Sequence, residues 1–524
     1  MNPVIKYPIG IQTFSKIREE GYLYVDKTAL VYQLATGFDY VFLSRPRRFG
    51  KSLLLSTLQA YFEGRSDLFK GLAIEKLQTE YRKHPVLRFD LSGDPIFNPD
   101  DLTDKISAYL SEMEKEYGVD PENGIGERFR KVIKAAYEKT GQPVVVLIDE
   151  YDKPMLDTLH DSDLNNILKD RLSGFYSILK SCDPYLRFVM LTGVTKFAKV
   201  SVFSGLNNLR DISLNPKFNS ICGITESEFH DNFLPSVKEF AATHSKSEDE
   251  VWRGFKEFYD GYHFAYPTED VYNPFSTLNA FADGELQSYW FESASPSYLI
   301  KLIKRNQYVL GMLEGAVRSR SQLLDLSDPS RDIVPLLYQA GYLTIKGYDD
   351  LTESYILGFP NKEVSSGFWN SLVDYFFKPD TSGRNFSVQD FVRDLALGRI
   401  DDFMVRMQSL FAKLGSETES NKEIHFQNML TIFVNMLGFK ASTEIHSSQG
   451  RSDVEIKTPQ FIYILELKVD STPHDAMCQI WDKGYAVKYG SDPRRKILIG
   501  ANFSSKTRTL TGWEIEEYTT PPSL

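Results

Sequence analysis

The sequence predicts a mixed α/β protein in three parts. A doubly wound parallel sheet comes first, then a helical middle region with a small winged-helix-like unit, then a smaller C-terminal α/β unit. Three observations carry this reading. An apolar run, Tyr40–Leu43, leads through a basic turn into Gly50-Lys51-Ser52 and then into apolar positions at helical spacing, Leu53, Leu54, Leu58 and Phe62. A second apolar run, Val144–Ile148, is unbroken and ends in Asp149-Glu150, as expected of a strand covered by helices on both faces. Far downstream, Asp453–Ile456 and Phe461–Val469 read as two strands around a turn containing Pro459.

The first run and its turn have the layout of a phosphate-binding loop. Amides at a helix start point at phosphate oxygens, and the helix dipole favours their charge. Lys51 is placed to reach β- and γ-phosphates, and the Ser52 hydroxyl to ligate Mg²⁺. The glycine that usually opens such a loop, six residues before the lysine, is replaced by Arg45, followed by Pro46.

Upstream, Tyr22–Val25 reads as a strand-like piece, and Asp26-Lys27-Thr28 as the cap of a helix running to Leu34. Tyr24 is either a stacking surface for a base or a core residue. Downstream, Val86–Asp90 reads as a second strand, followed by a long helical stretch from Leu102 to Lys139. The carboxylates ending the third strand stand where Mg²⁺ and an attacking water belong: Asp149 to hold the metal, Glu150 to polarise the water. A fourth strand, Leu186–Leu191, ends in Thr192-Gly193. Thr192 is the candidate γ-phosphate sensor, with Thr195 and Lys196 just beyond. Ser201–Leu214 supplies the last strand, and Arg210 is a candidate trans arginine.

The segments GIQTFSKI, YVDKT, FLSRPRRFGKSLLLSTL, VVVLIDEYDKP and LTGVTKFAKVSVFSGLNNL, in this order, resemble the bacterial AAA-ATPase-like family whose phosphate loop reads RPRRFGKS. The resemblance covers residues 5–225. It implies an ATPase using ATP and Mg²⁺, in which Arg45, Arg47 and Arg48 belong to the loop with Gly50, Lys51 and Ser52. YDGYHF, VYNPFS and YWFES resemble the same family's region after the core.

Between Thr225 and Leu414 the sequence reads as a helical lid. Within it Pro335–Gly347 has the helix-turn-strand look of a winged-helix-like unit, serving either DNA binding or packing. Gly415–Lys422 is a polar linker. The expected domains are therefore residues 1–224, 225–414 and 415–524. After the linker, Glu423–Leu437 reads as an amphipathic helix stopped by Gly438. On the strand Phe461–Val469, Glu466 and Lys468 share a face while Leu465 and Leu467 face a core. Asp453 on the neighbouring strand can approach Glu466. Acid, then acid-x-Lys on the next strand, resembles the PD-(D/E)XK nuclease superfamily over residues 420–510. That resemblance implies Mg²⁺ held by Asp453 and Glu466, Lys468 orienting the attacking water, Glu423 as an extra ligand and Gln479 as a supporting polar residue.

The length, 524 residues, suits about three domains. A formal net charge of −11 argues against a general nucleic-acid coat protein while allowing a local basic groove. Lys301-Lys304-Arg305, Arg318-Arg320 and Arg494-Arg495-Lys496 read as solvated surface. Cys182, Cys222 and Cys478 are isolated, with no CxxC pair, so neither a zinc ribbon nor a disulfide framework is suggested, and a reducing compartment fits. No signal peptide and no membrane-length run is read, so a cytoplasmic protein is expected. The expected function is an ATP-binding, ATP-hydrolysing protein coupled to Mg²⁺-dependent cleavage of nucleic acid, DNA first, in defence or mobile-element biology, with a nucleotide-dependent homo-oligomer as a further expectation. The alternative is a nucleotide-switched regulator or sensor whose nuclease-like domain only binds a partner.

Overall fold

A computed structural model describes the chain except for residues 1–4, 122–123, 160, 197–205, 207, 294–296, 307, 327–328, 330, 377–387, 414–427, 429–430, 433–434, 436–439, 447–450, 508 and 520–524. The chain divides into two compact units, Met1–Ala294 with Val317–Glu363, and Ser295–Ala316 with Val364–Leu524. Among the described residues, no helix is long and apolar enough to cross a membrane.

The first unit is organised on five parallel strands: β1 (Tyr40–Ser44), β2 (Val86–Asp90), β3 (Val144–Asp149), β4 (Leu186–Gly193) and β5 (Arg210–Asp211). Their spatial order is β2-β3-β4-β1-β5. Every residue of β3, VVVLID, is buried, because helices cover both faces of such a sheet. Strand β1 carries the basic turn at its carboxyl end, and the register sets Ser44 beside Gly193. The turn, the acids ending β3 and Thr192 near the end of β4 thus share one edge of the sheet.

One local expectation is corrected and two are narrowed. Tyr22–Val25 forms no strand. The long stretch Leu102–Lys139 is two helices, Pro99–Tyr117 and Ile125–Thr140; Gly118 adopts φ 73° and terminates the first. Within Ser201–Leu214, Arg210–Asp211 supply the last strand, pairing with β1, while 201–205 and 207 lie outside the described residues.

The lid region begins with strand β6 (Ile224–Thr225), which pairs antiparallel with β7 (Val271–Tyr272). Helices Glu226–His244, Glu248–Tyr259 and Pro274–Asp283 surround an aromatic core of Phe229, Phe233, Phe255, Tyr259 and Tyr272. A second sheet, of order β8-β10-β9, follows: β8 (Val317–Ser319), β9 (Thr344–Asp349) and β10 (Ser354–Gly358). Helices Arg320–Leu323 and Val334–Ala340 lie between β8 and β9, which gives the winged-helix order of elements. Val334, Leu336, Leu337 and Gln339 of the second helix are all buried.

The second unit contains a sheet running β11 (Lys440–His446), β12 (Arg451–Lys457), β13 (Phe461–Val469), β14 (Arg495–Ser504) and β15 (Thr509–Tyr518) in sequence order. Only the β13–β14 pair is parallel, with helix Pro473–Asp482 making the crossover. Leu465 joins a core with Phe391, Leu395, Phe403, Met407 and Ile499, and Leu467 packs against it. Ile462 and Ile464 pack instead on Met477 and Ile480 of the crossover helix. The unit therefore includes helices Val388–Ala396 and Ile400–Lys413, upstream of the expected boundary at 415; the linker itself lies outside the described residues.

Candidate functional site

Residues Arg45–Gly50 join β1 to helix Lys51–Phe62. Arg48 and Gly50 take φ 69° and 89°, and alternating handedness in successive residues turns backbone amides into an anion-binding concavity. No side chain caps the helix at Gly50, which leaves its first amides to a ligand. Arg47, Arg48, Gly50, Lys51 and Ser52 line a cleft of about 370 Å³, together with Glu150, Lys153 and the segment Pro8–Gln12. Lys51 is buried and its Nζ donates to the carbonyls of Arg45 at 3.0 Å and Pro46 at 3.1 Å. Burial lowers its pKa, with Glu150 and Asp149 acting in the other direction.

Arg45 is a correction. Its guanidinium is 2% exposed and donates to Ser44 O (2.9 Å), Ser213 O (2.8 Å) and Phe218 O (3.0 Å). It also lies 4.2 Å from the Phe264 ring centroid. A charge held by three carbonyls and a ring face is a staple for the loop's base; Arg45 does not line the cleft, and its Nε is buried without a partner among the described residues.

The acids at the end of β3 are held differently from one another. Asp149 Oδ1 accepts the Thr192 hydroxyl at 2.6 Å. Asp149 Oδ2 is buried and accepts no hydrogen bond from a described residue; the guanidinium of Arg88 is 4.0 Å away. A buried carboxylate oxygen left without a donor is costly, and a hard cation is a fitting partner. Thr192 is fully buried and directs its proton at Asp149, so it orients that carboxylate and does not line the cleft. Glu150 adopts φ 48°, an uncommon conformation for a non-glycine residue. It reaches the cleft, and burial raises its pKa against the lowering pull of Lys51.

The sequence reading missed Asp152. This buried carboxylate accepts Val194 N (3.0 Å), Thr195 N (2.6 Å) and Thr195 Oγ1 (2.6 Å). Tyr151 adds an N–H to Thr192 O at 3.0 Å and a hydroxyl to Thr195 O at 3.0 Å. Tyr151-Asp152 thus ties the acid turn to the end of β4, and gives Thr195 its role. The signal was present as a third acid in DEYDKP. Lys196 Nζ pairs with Asp211 at 2.6 Å, Arg210 is exposed on the edge strand, and Tyr24 packs edge-on to Phe14 at 5.1 Å beside an apolar pocket next to the cleft.

In the second unit, Asp453 and Glu466 are direct partners across β12 and β13. Glu466 is fully buried, and Lys468 Nζ is 3.6 Å from its Oε1. Lys468 donates to Gln479 Oε1 on the crossover helix, and Gln479 Nε2 donates to the Tyr485 hydroxyl at 3.2 Å. Acidic residues facing each other across two strands suit a hard divalent cation, which takes oxygen ligands. Glu423 lies outside the described residues, as does the Asp453 side chain. Among the described residues no cluster of three His, Cys, Asp or Glu forms a ready metal cage. Within the basic clusters, Arg318 pairs with Asp332, Arg494 with Asp492 and Arg495 with Glu517.

Sheet order, loop and strand-end acids define a P-loop NTPase-type domain, and the C-terminal sheet an α/β nuclease-like domain. Residues 8–203 match the family model described as "Predicted AAA-ATPase", the AAA-ATPase-like family. Residues 421–513 match the PD-(D/E)XK nuclease superfamily. The whole chain is similar to an "Uncharacterized protein in vnfD 5'region" of Azotobacter chroococcum mcd 1, at 36% identity over 529 residues, covering 98% of this chain and 99% of that protein. The chain belongs to the AAA-ATPase-like family and carries a PD-(D/E)XK nuclease superfamily domain at its C-terminus.

Proposed function

We propose that the first unit binds and hydrolyses ATP with Mg²⁺, and that the second cleaves phosphodiester bonds in nucleic acid, DNA first, with nucleotide state governing access. The observation that carries the ATPase reading is Asp149: one oxygen fixed by Thr192, the other buried without a donor, at the strand end beside Lys51 and Ser52. Ser52 and Asp149 would hold Mg²⁺, which when bound neutralises charge on phosphate oxygens. Lys51 exchanges its two loop carbonyls for β- and γ-phosphate oxygens. Glu150, made more basic by burial, takes the proton of the attacking water. In the second unit, Asp453 and Glu466, with Glu423, would hold the metal, and Lys468, aimed by Gln479, orients the nucleophilic water. A cytoplasmic location and a nucleotide-dependent homo-oligomer belong to the same reading.

The test uses the purified full chain with Mg²⁺ on single- and double-stranded DNA and RNA, with and without ATP. Lys51→Ala and Glu150→Gln are each expected to lower phosphate release by at least about 100-fold. Asp453→Ala is expected to abolish cutting while its circular dichroism matches wild type. Undiminished phosphate release by both loop variants refutes the first assignment, and cutting that survives Asp453→Ala refutes the second.

A further inference from the structure

The phosphate loop is gripped by residues far along the chain that the mechanism above does not use. The Trp290 indole Nε1 donates to Arg47 O at 3.0 Å, and Trp290 is 1% exposed. Its backbone N–H donates to Glu363 Oε1 at 2.7 Å, and that oxygen also takes the Ser276 hydroxyl at 2.9 Å. Ser276 lies on helix Pro274–Asp283, whose Pro274, Phe275 and Leu278 form a wall of the cleft. Gly341, at φ +93°, touches the loop from another side: a Cβ there would fall 2.6 Å from Pro46 Cβ. Two residues earlier, in the last turn of the helix that Gly341 ends, Gln339 Oε1 accepts Lys196 N at 2.6 Å, just past the end of β4.

We propose that Trp290 is a positioning residue of the ATP site, holding the Arg47 carbonyl so that the Arg48 amide is presented to phosphate, with Glu363 joining that contact to the cleft wall. This rests on the ATPase reading. The reason lies in the peptide unit: it is planar and trans, so the Arg47 C=O and the Arg48 N–H point in opposite directions. A donor that fixes the carbonyl fixes the amide. Arg48 lines the cleft with φ 69°, and its amide belongs to the concavity that Gly50 completes. Without the indole, that peptide is free to rotate, and a phosphate contact is lost from both bound nucleotide and transition state.

The test is isothermal titration of the full chain with MgADP and with a non-hydrolysable MgATP analogue, for wild type and Trp290→Phe. We expect about tenfold weaker binding in the variant with unchanged stoichiometry. A variant that merely folds less well would lower the stoichiometry and keep the wild-type Kd. Equal Kd in both proteins overturns the proposal. A wild type that binds neither nucleotide overturns the ATPase reading itself, a distinguishable result. Should the variant not fold, hydrogen exchange on wild type decides. The Trp290 amide is expected to become more protected when MgADP binds, and exchange indifferent to nucleotide refutes the coupling.

Discussion

The two candidate sites place their carboxylates by opposite means. In the parallel sheet, Asp149 and Glu150 stand where a strand ends, and their partners come from a neighbouring strand end and a loop: Thr192 at 2.6 Å from Asp149 Oδ1, with Lys51 and Ser52 across the cleft. In the C-terminal sheet, Asp453 and Glu466 are mid-strand residues set opposite each other by antiparallel register, with Lys468 two residues on. The first site depends on loop conformation and so on everything that grips the loop. The second depends on register, which a slip of one residue would invert. Loop-built sites can respond to a ligand by rearranging, whereas register-built sites are fixed once the sheet is formed.

Three substitutions sharpen or break that contrast. Glu466→Gln keeps shape and register but removes the charge proposed to hold the metal. Mg²⁺-dependent cutting is expected to fall by about 1,000-fold or more, with the thermal midpoint unchanged or raised, since a buried charge is relieved; retained cutting would mean that register alone does not make the site. Glu363 is a buried carboxylate that belongs to the loop-built side. Desolvation pushes its pKa up to about 7 from 4.5. The fold holds that proton more tightly than the unfolded chain. Stability is therefore expected to fall by roughly 3 kcal/mol as pH rises from about 4.5 to about 7, and to level off above. Glu363→Gln keeps an acceptor for Trp290 and Ser276 and should remove this part of the slope. Parallel pH–stability curves for the two proteins, measured by denaturant titration, would refute it. Thr192→Val removes only the hydroxyl that orients Asp149 and should lower the kcat of ATP hydrolysis by about tenfold. An unaltered kcat would show that Asp149 needs no orienting donor.

What the sequence made legible follows from how local each cause is. The unbroken run Val144–Ile148 and its terminal acids, and the alternation that turns Glu466 and Lys468 away from Leu465 and Leu467, are set by neighbours in the chain. Arg45 was misread for the opposite reason. Its basic side chain in a basic loop suggested phosphate, but its acceptors, Ser213 and Phe218, lie 168 and 173 residues away. Asp152 was missed because its work is on the backbone of Val194 and Thr195, one strand over. Trp290 reaches its acceptor across 243 residues, beyond anything periodicity reveals. The helical stretch expected over Leu102–Lys139 divides into two helices at Gly118, a stop signal present in the sequence.

The core beneath the C-terminal sheet has a practical consequence. Phe391, Leu395, Phe403 and Met407, all upstream of 415, fill the same interior as Leu465, Ile499 and Leu510. The Tyr463 hydroxyl is anchored on Leu395 O at 2.6 Å, and Gln408 bonds Leu510 O at 2.6 Å. A fragment starting at the linker would expose one whole side of the sheet to water and aggregate. The nuclease-like domain is thus no detachable tail: any portion meant to stand alone must begin before Val388, and the sequence family match from 421 onward understates the folding unit by more than thirty residues.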